Sequence, residues 1–136
     1  MHKTAEFYCS ICETHVIVGS KHCRICNRCC ADFDHHCRWV SNDIGIFNYI
    51  EFMRLLLFTL ATLIIGSILS LYAIIQIEAN TPDFESSSHM LLGKTDLLVI
   101  NWVTLVLNVL TISFLVYLTT FHSMLIRRGI TTMKWI

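Results

Sequence analysis

The sequence is poor in the residues that loosen or charge a chain. It has one proline and five glycines, too few for a collagen-like or low-complexity polypeptide. Charged residues make up 15%, against roughly 25% in ordinary soluble domains, which argues against a soluble enzyme. Ten basic and ten acidic side chains cancel to a formal net charge of zero. The basic footprint of a nucleic-acid binder is therefore missing, and no nucleic-acid partner is expected. The opening MHKTAEFYC contains no apolar stretch of the kind a secretory signal needs. The first apolar helix is expected to act as its own anchor.

What the 136 residues hold in quantity is hydrophobic side chains, 54%, and cysteine, seven copies. The two are segregated. Residues 1–54 hold all seven cysteines and five of the seven histidines, while the long aliphatic runs fall in residues 55–136.

Leu55 to Ile77 is a stretch of 23 residues without a charge. At about 1.5 Å per residue a helix of that length exceeds the ~30 Å hydrocarbon core of a bilayer. Leu97 to Ile126 is a second uncharged run, closed by Arg127 and Arg128. The polar residues 78–96, with Pro82, Gly93 and Ser86 to Ser88, read as a loop joining two antiparallel spans. Nine of the ten Lys and Arg residues lie outside that loop, which predicts both termini in the cytosol and the loop in the lumen. Asn101, Thr104, Asn108 and Thr111 recur every three or four residues and predict one polar stripe, either interhelical hydrogen-bond glue or the lining of a ligand cavity. Gly66 and Ser70 form a small-xxx-small pair that permits close helix approach. Two helices alone would leave these faces in lipid, so additional transmembrane helices are expected as partners.

On the reducing cytosolic side, clustered cysteines read as metal ligands or nucleophiles before disulfides. Cys9-Ser-Ile-Cys12 and Cys23-Arg-Ile-Cys26 are two C-x-x-C pairs, and His22, Cys29, Cys30, His35, His36 and Cys37 stand close by. Spacing alone predicts a single four-cysteine zinc ribbon from Cys9, Cys12, Cys23 and Cys26. That leaves six ligand-type residues unused. Ten candidates in so short a stretch predict two zinc sites and one cysteine too many for ligation.

Asp34-His35-His36-Cys37, with the upstream C-x-x-C, the knuckle from His22 to Cys29, Trp39, Asn42, Gly45 and the stretch Asn48 to Phe52, resembles the DHHC family of protein S-acyltransferases over almost the whole chain. The resemblance implies an α-helical integral membrane protein with a zinc-stabilised, cytosolic cysteine-rich domain of short β-hairpins at residues 1–54. The family's third and fourth transmembrane helices would lie at 55–77 and 97–126, with a lumenal loop at 78–96. A cytosolic tail at 127–136 carries Thr131-Thr132-Met133-Lys134, similar to the family's Thr-Thr-x-Glu element. The family is located in endomembranes, which implies the Golgi or the endoplasmic reticulum.

The resemblance also implies two interleaved structural zinc ions, one on Cys9, Cys12, His22 and Cys29, the other on Cys23, Cys26 and His36. Asp43 stands where the family has the last cysteine ligand. Cys37 is left as the nucleophile, with His35 as its base and Asp34 orienting the imidazole. The implied co-substrate is a long-chain acyl-CoA. Its acyl group would pass to Cys37 and then to a membrane-proximal cysteine of a substrate protein, in two-step ping-pong transfer. Trp39 and Phe47 are expected at the bilayer interface or on the acyl chain. Arg24, Arg28 and Arg38 are expected on CoA phosphates, on anionic lipid or in solvent.

Three departures bear on this reading. Asp43 would be a harder, weaker zinc ligand than cysteine, and the extra Cys30 could substitute for it. Lys134 reverses the charge of the family's glutamate, although Thr132 can still hydrogen-bond Asp34. The family's first two helices have no counterpart among these residues, and an acyl cavity needs more walls than two helices supply, so poor activity of this chain alone is expected. The alternative reading is a membrane-anchored zinc-binding module that acts through protein contacts. A zinc hydrolase is disfavoured, because fully ligated ions offer no open position for water.

Overall fold

The computed structural model describes residues 6–79 and 93–135. Six short strands come first: β1 Glu6–Cys9, β2 Thr14–Ile17, β3 Lys21–Cys23, β4 Arg28–Cys30, β5 His35–Cys37 and β6 Asn42–Ile44. Two long helices follow, α1 Tyr49–Ala79 and α2 Lys94–Arg128, and then one turn of helix, α3 Thr132–Trp135. The strands pair only as three successive antiparallel hairpins, β1-β2, β3-β4 and β5-β6. The described residues fall into two compact units, those up to Leu55 together with those from Thr120 onward, and Leu56–Thr119.

Hairpins of three or four residues per strand cannot enclose an apolar core of their own. The buried side chains of this region are Cys9, Cys23, Cys37, Asp34 and Asp43, with Ile44 as the aliphatic member. Thiols and carboxylates thus stand where a larger domain would have leucines. The hairpins also repeat. Cys9, Cys23 and Cys37 are spaced 14 residues apart and each opens a turn. The fifth residue of each turn adopts a left-handed backbone, with φ of 51° at Glu13, 48° at Asn27 and 48° at Ser41. His22 and His36, and Cys29 and Asp43, keep the same interval. The third hairpin departs at Val40, which stands at the position of Cys12 and Cys26.

The last hairpin is tied to α1 by Asn48, whose side-chain amide donates to the Asp43 carbonyl (2.8 Å) and accepts from the Gly45 N–H (2.9 Å). Gly45 is required by close approach, because a Cβ there would lie 2.5 Å from both the Ala31 carbonyl oxygen and the Cys30 Sγ. Both helices overrun the uncharged stretches. α1 already includes Glu51 and Arg54, which pair at 2.6 Å, since a charged turn costs little once it lies outside hydrocarbon. Asp96 caps the start of α2 by accepting from the Gly93 N–H at 3.1 Å. Glu78 and Lys94, whose side chains lie 3.8 Å apart, belong to α1 and α2, so both ends of the expected loop are helical. Its centre, with Pro82 and Ser86 to Ser88, lies outside the described residues.

Within the Leu56–Thr119 unit, Ile74, Ser70, Leu56 and Leu115 are buried, whereas Ile65, Ile68, Leu69, Tyr72, Val106 and Leu110 are exposed. Such an apolar exterior on two helices of this length suits lipid. A Cβ on Gly66 would lie 3.3 Å from the Asn108 amide, so the small residue admits that side chain. The four polar residues of the expected stripe span about 80° of the helix, and they differ in burial. Asn101 and Asn108 are half-buried, but Thr104 and Thr111 are exposed. At about 100° per residue the two asparagines lie within about 20° of each other and the two threonines about 60° round the helix. Thr111 instead donates to the Leu107 carbonyl at 2.8 Å, which satisfies its hydroxyl within the helix.

α2 ends on Gly129, whose φ of 63° suits glycine. The Ile130 N–H donates to the Leu125 carbonyl (3.2 Å) and the Gly129 N–H to that of Ile126 (3.1 Å), a Schellman closure. Leu125 is fully buried and anchors this end. The reversal brings Thr131 and Thr132 back toward the third hairpin.

Candidate active site and metal centres

Strand alternation sorts the ligand-type residues. His22 faces Cys29 across β3-β4, and Cys23, one residue on, points to the other side of that hairpin. His36 faces Asp43 across β5-β6, and its neighbours His35 and Cys37 share the opposite face. Each C-x-x-C turn meets the facing pair of the following hairpin. Two groups result, Cys9-Cys12-His22-Cys29 and Cys23-Cys26-His36-Asp43, each with ligand atoms all within 4.8 Å of one another. The single ribbon expected from spacing is thereby corrected, because Cys9 and Cys12 gather with the His22–Cys29 face of β3-β4 while Cys23 and Cys26 gather with His36 and Asp43.

In the first group His22 Nδ1 lies 3.2 Å from Cys12 Sγ and 3.9 Å from both Cys9 Sγ and Cys29 Sγ, and the Cys12 and Cys29 sulfurs are 3.7 Å apart. A zinc tetrahedron with bonds of about 2.0–2.3 Å has edges of about 3.3–3.8 Å, so the donor set fits zinc. Burial, then the neighbouring Cys9 and Cys12 thiols, push Cys29 up to about 12. Several thiolates can coexist in this space only beside a cation. In the second group His36 Nδ1 lies 3.9 Å from Cys23 Sγ, 3.4 Å from Cys26 Sγ and 2.8 Å from Asp43 Oδ1. Asp43 is 2% exposed, yet its Oδ2 has no hydrogen-bond partner, and Arg28 Nε stays 3.8 Å away. An orphaned, buried carboxylate oxygen beside two thiols and an imidazole is the donor a second ion requires. Burial opposes ionisation of Asp43, but the neighbouring Cys23, His36 and Cys26 side chains outweigh it and hold the carboxyl below its ordinary range. Cys30 stands outside both groups, with its Sγ 3.8 Å from the Ala31 carbonyl.

Just before β5, Asp34 is 1% exposed, and Cys37, on the face of β5 opposite His36, is buried. The Asp34 carboxylate receives three hydrogen bonds of 2.7 Å, from His35 Nδ1–H, the Thr132 N–H and the Thr132 hydroxyl. Burial pushes its pKa up, but those bonds together pull it below the usual range. An ionised Asp34 can only accept, which places the imidazole proton on Nδ1 and leaves Nε2 free as a base. The contact expected between Thr132 and Asp34 is thus present, and Lys134 lines a shallow cavity with Asp32, Asp34 and Tyr49. The ring of His35 is flanked by Phe52 and His122, at centroid distances of 5.3 Å each. His122, 2% exposed, was not singled out by sequence reasoning. An ionisable residue within an apolar helix was the available signal. Trp39 and Phe47 are both 83% exposed.

Comparison with known proteins bears on this constellation. The family model of the DHHC palmitoyltransferase matches residues 2–136. The probable protein S-acyltransferase 20 of Arabidopsis thaliana is 32% identical over 133 residues, 95% of this chain and 19% of that protein. Palmitoyltransferase ZDHHC17 of Rattus norvegicus is 53% identical over 55 residues, 40% of this chain and 9% of its own length. Palmitoyltransferase ZDHHC4 of the same species is 47% identical over 62 residues, 46% of this chain and 18% of its own length. The chain spans about a fifth or less of each of these relatives.

Proposed function

The chain belongs to the DHHC palmitoyltransferase family, and we propose that it transfers a long-chain acyl group from acyl-CoA to cysteines of membrane-associated proteins through an acyl-Cys37 intermediate. The observation that carries this reading is His35, bonded to the buried Asp34 and on the same face of β5 as Cys37, the one buried thiol outside both metal groups among the described residues.

His35 Nε2 would take the Cys37 proton as the sulfur attacks the acyl thioester carbon. The C–S bond to CoA breaks, the CoA thiolate takes up a proton, and the acyl group stays on Cys37. The substrate protein's thiol then repeats the attack, with His35 accepting its proton and Cys37 leaving. Thioester is exchanged for thioester, so no external energy source is required. Ionised Asp34 holds the Nδ1–H tautomer and supports the imidazolium that forms. Burial of Cys37 shields the acyl-enzyme from hydrolysis. Cys9, Cys12, His22 and Cys29 would hold one zinc ion, and Cys23, Cys26, His36 and Asp43 a second. The ions would cross-link the hairpins and take no part in acyl transfer.

The test is transfer of label from palmitoyl-CoA to a cysteine peptide by membranes carrying this chain. Label that neutral hydroxylamine removes, accompanied by CoA release, is expected. Binding of zinc without either would favour the alternative, a membrane-anchored module acting through protein contacts. Topology is a separate expectation. The cysteine-rich residues 1–54 and the tail 127–136 should face the cytosol of an endomembrane, with 78–96 in the lumen. An impermeant thiol reagent applied to sealed, cytosol-side-out vesicles should therefore reach Cys30, whereas labelling from the lumen alone would refute the assignment.

A further inference from the structure

We infer that Tyr49 and His122 are a coupled pair of positioning residues that fix the His35 ring for proton transfer; this rests on the acyl-transfer reading of Cys37. Asp34 fixes one edge of His35 through Nδ1 at 2.7 Å, but a single hydrogen bond leaves the ring free to rock about its Cβ–Cγ axis. What stops that motion lies on the two long helices. Phe52 meets the ring edge-on at an interplanar angle of 72°, and His122 lies against it, tilted by 34°, with centroids 5.3 Å away in each case. His122 also packs edge-on against Phe52 at 5.0 Å.

A buried imidazole used merely as filler is a poor choice, because a phenyl ring would fill the space without carrying polar atoms into an apolar site. Here one of those atoms is used. His122 Nδ1 shares a hydrogen bond of 2.9 Å with the Tyr49 hydroxyl, and that bond together with edge-on packing of Phe52 and Phe121 against the ring fixes the His122 orientation. Tyr49 and Phe52 stand one turn apart at the start of α1, and Asn48, just before them, is bonded to the third hairpin. The chain of contacts is therefore closed. β5 carries His35, α2 carries the ring that backs it, and α1 carries the hydroxyl that orients that ring. A rocking base loses productive geometry, and losses of this kind appear in the rate of the chemical step rather than in substrate affinity.

The test uses the zinc-loaded chain in membranes and the substitutions Tyr49→Phe, His122→Phe and both together. Two rates are measured at Cys37 by peptide mass, acylation by palmitoyl-CoA and alkylation by iodoacetamide. Each single substitution should slow both reactions roughly five- to tenfold, the range of one lost buried hydrogen bond. The half-saturating palmitoyl-CoA concentration and the zinc content should stay unchanged. Because the two residues act as one unit, the double substitution should be no slower than the slower single. Unchanged alkylation in both singles, multiplied effects in the double, or loss of zinc in Tyr49→Phe would each overturn the inference. The two readings fail separately. A wild-type chain that is never acylated, but whose alkylation slows in the variants, defeats the acyl-transfer reading and leaves the positioning pair standing. Normal acylation that ignores both substitutions does the reverse.

Discussion

Asp43→Ala is expected to reduce the zinc content from two ions per chain to one, as counted by native mass spectrometry. The buried Oδ2 of Asp43 has no hydrogen-bond partner and sits with Cys23, Cys26 and His36, so removing the carboxylate leaves three donors for a tetrahedral ion. In such small domains metal affinity is folding free energy, on the order of 10 kcal/mol per structural site, and the third hairpin should loosen with the loss. Cys30→Ala should keep both ions, since Cys30 stands outside both groups. An oxygen donor is harder than sulfur and holds zinc less firmly, so in the unaltered chain a chelator should empty the second site before the first, and Asp43→Cys should even them out. Release of zinc from Cys30→Ala, with both ions kept in Asp43→Ala, would show that Cys30 completes the second site.

His35→Ala is expected to slow acylation of Cys37 by roughly 10²–10⁴, the usual contribution of a positioned general base, while both zinc ions stay bound. His36→Ala should instead cost the second ion. The contrast between two adjacent histidines follows from β5, where alternate residues face opposite sides and His36 alone faces Asp43. Zinc loss in His35→Ala would mean that the two roles are exchanged.

Much of this arrangement was legible along the chain because it depends on local runs. The uncharged stretches 55–77 and 97–126 announced α1 and α2, and the C-x-x-C pairs with Asp34-His35-His36-Cys37 announced the two candidate metal groups and the proposed nucleophile. The grouping of ligands was harder. Spacing favours Cys9, Cys12, Cys23 and Cys26 as one set, and only pairing across β3-β4 shows His22 and Cys23 on opposite faces. A further regularity lay in plain view. The 14-residue interval that relates Cys29 to Asp43 also relates Cys9 to Cys23 and Cys23 to Cys37. Cys37 thus opens a third turn of the same kind in which Val40 stands at the position of Cys12 and Cys26, so no second sulfur is there to share an ion.

Long-range contacts were less accessible. Thr132 could be matched to Asp34 through the family element, but nothing in sequence spacing joins Tyr49 to His122, which are brought together by the fold. The four polar residues of α2 span about 80° of the helix, and the burial differs along that arc, with Asn101 and Asn108 half-buried and Thr104 and Thr111 exposed.

The most direct test is to locate the acyl group itself. Membranes bearing the chain are treated briefly with palmitoyl-CoA, digested and mapped by peptide mass, with Cys37→Ser in parallel. A palmitoyl adduct confined to Cys37, removed by neutral hydroxylamine and missing from Cys37→Ser, is the predicted result. An adduct on Cys30 instead, or equal labelling of Cys37→Ser, would contradict the acyl-Cys37 intermediate.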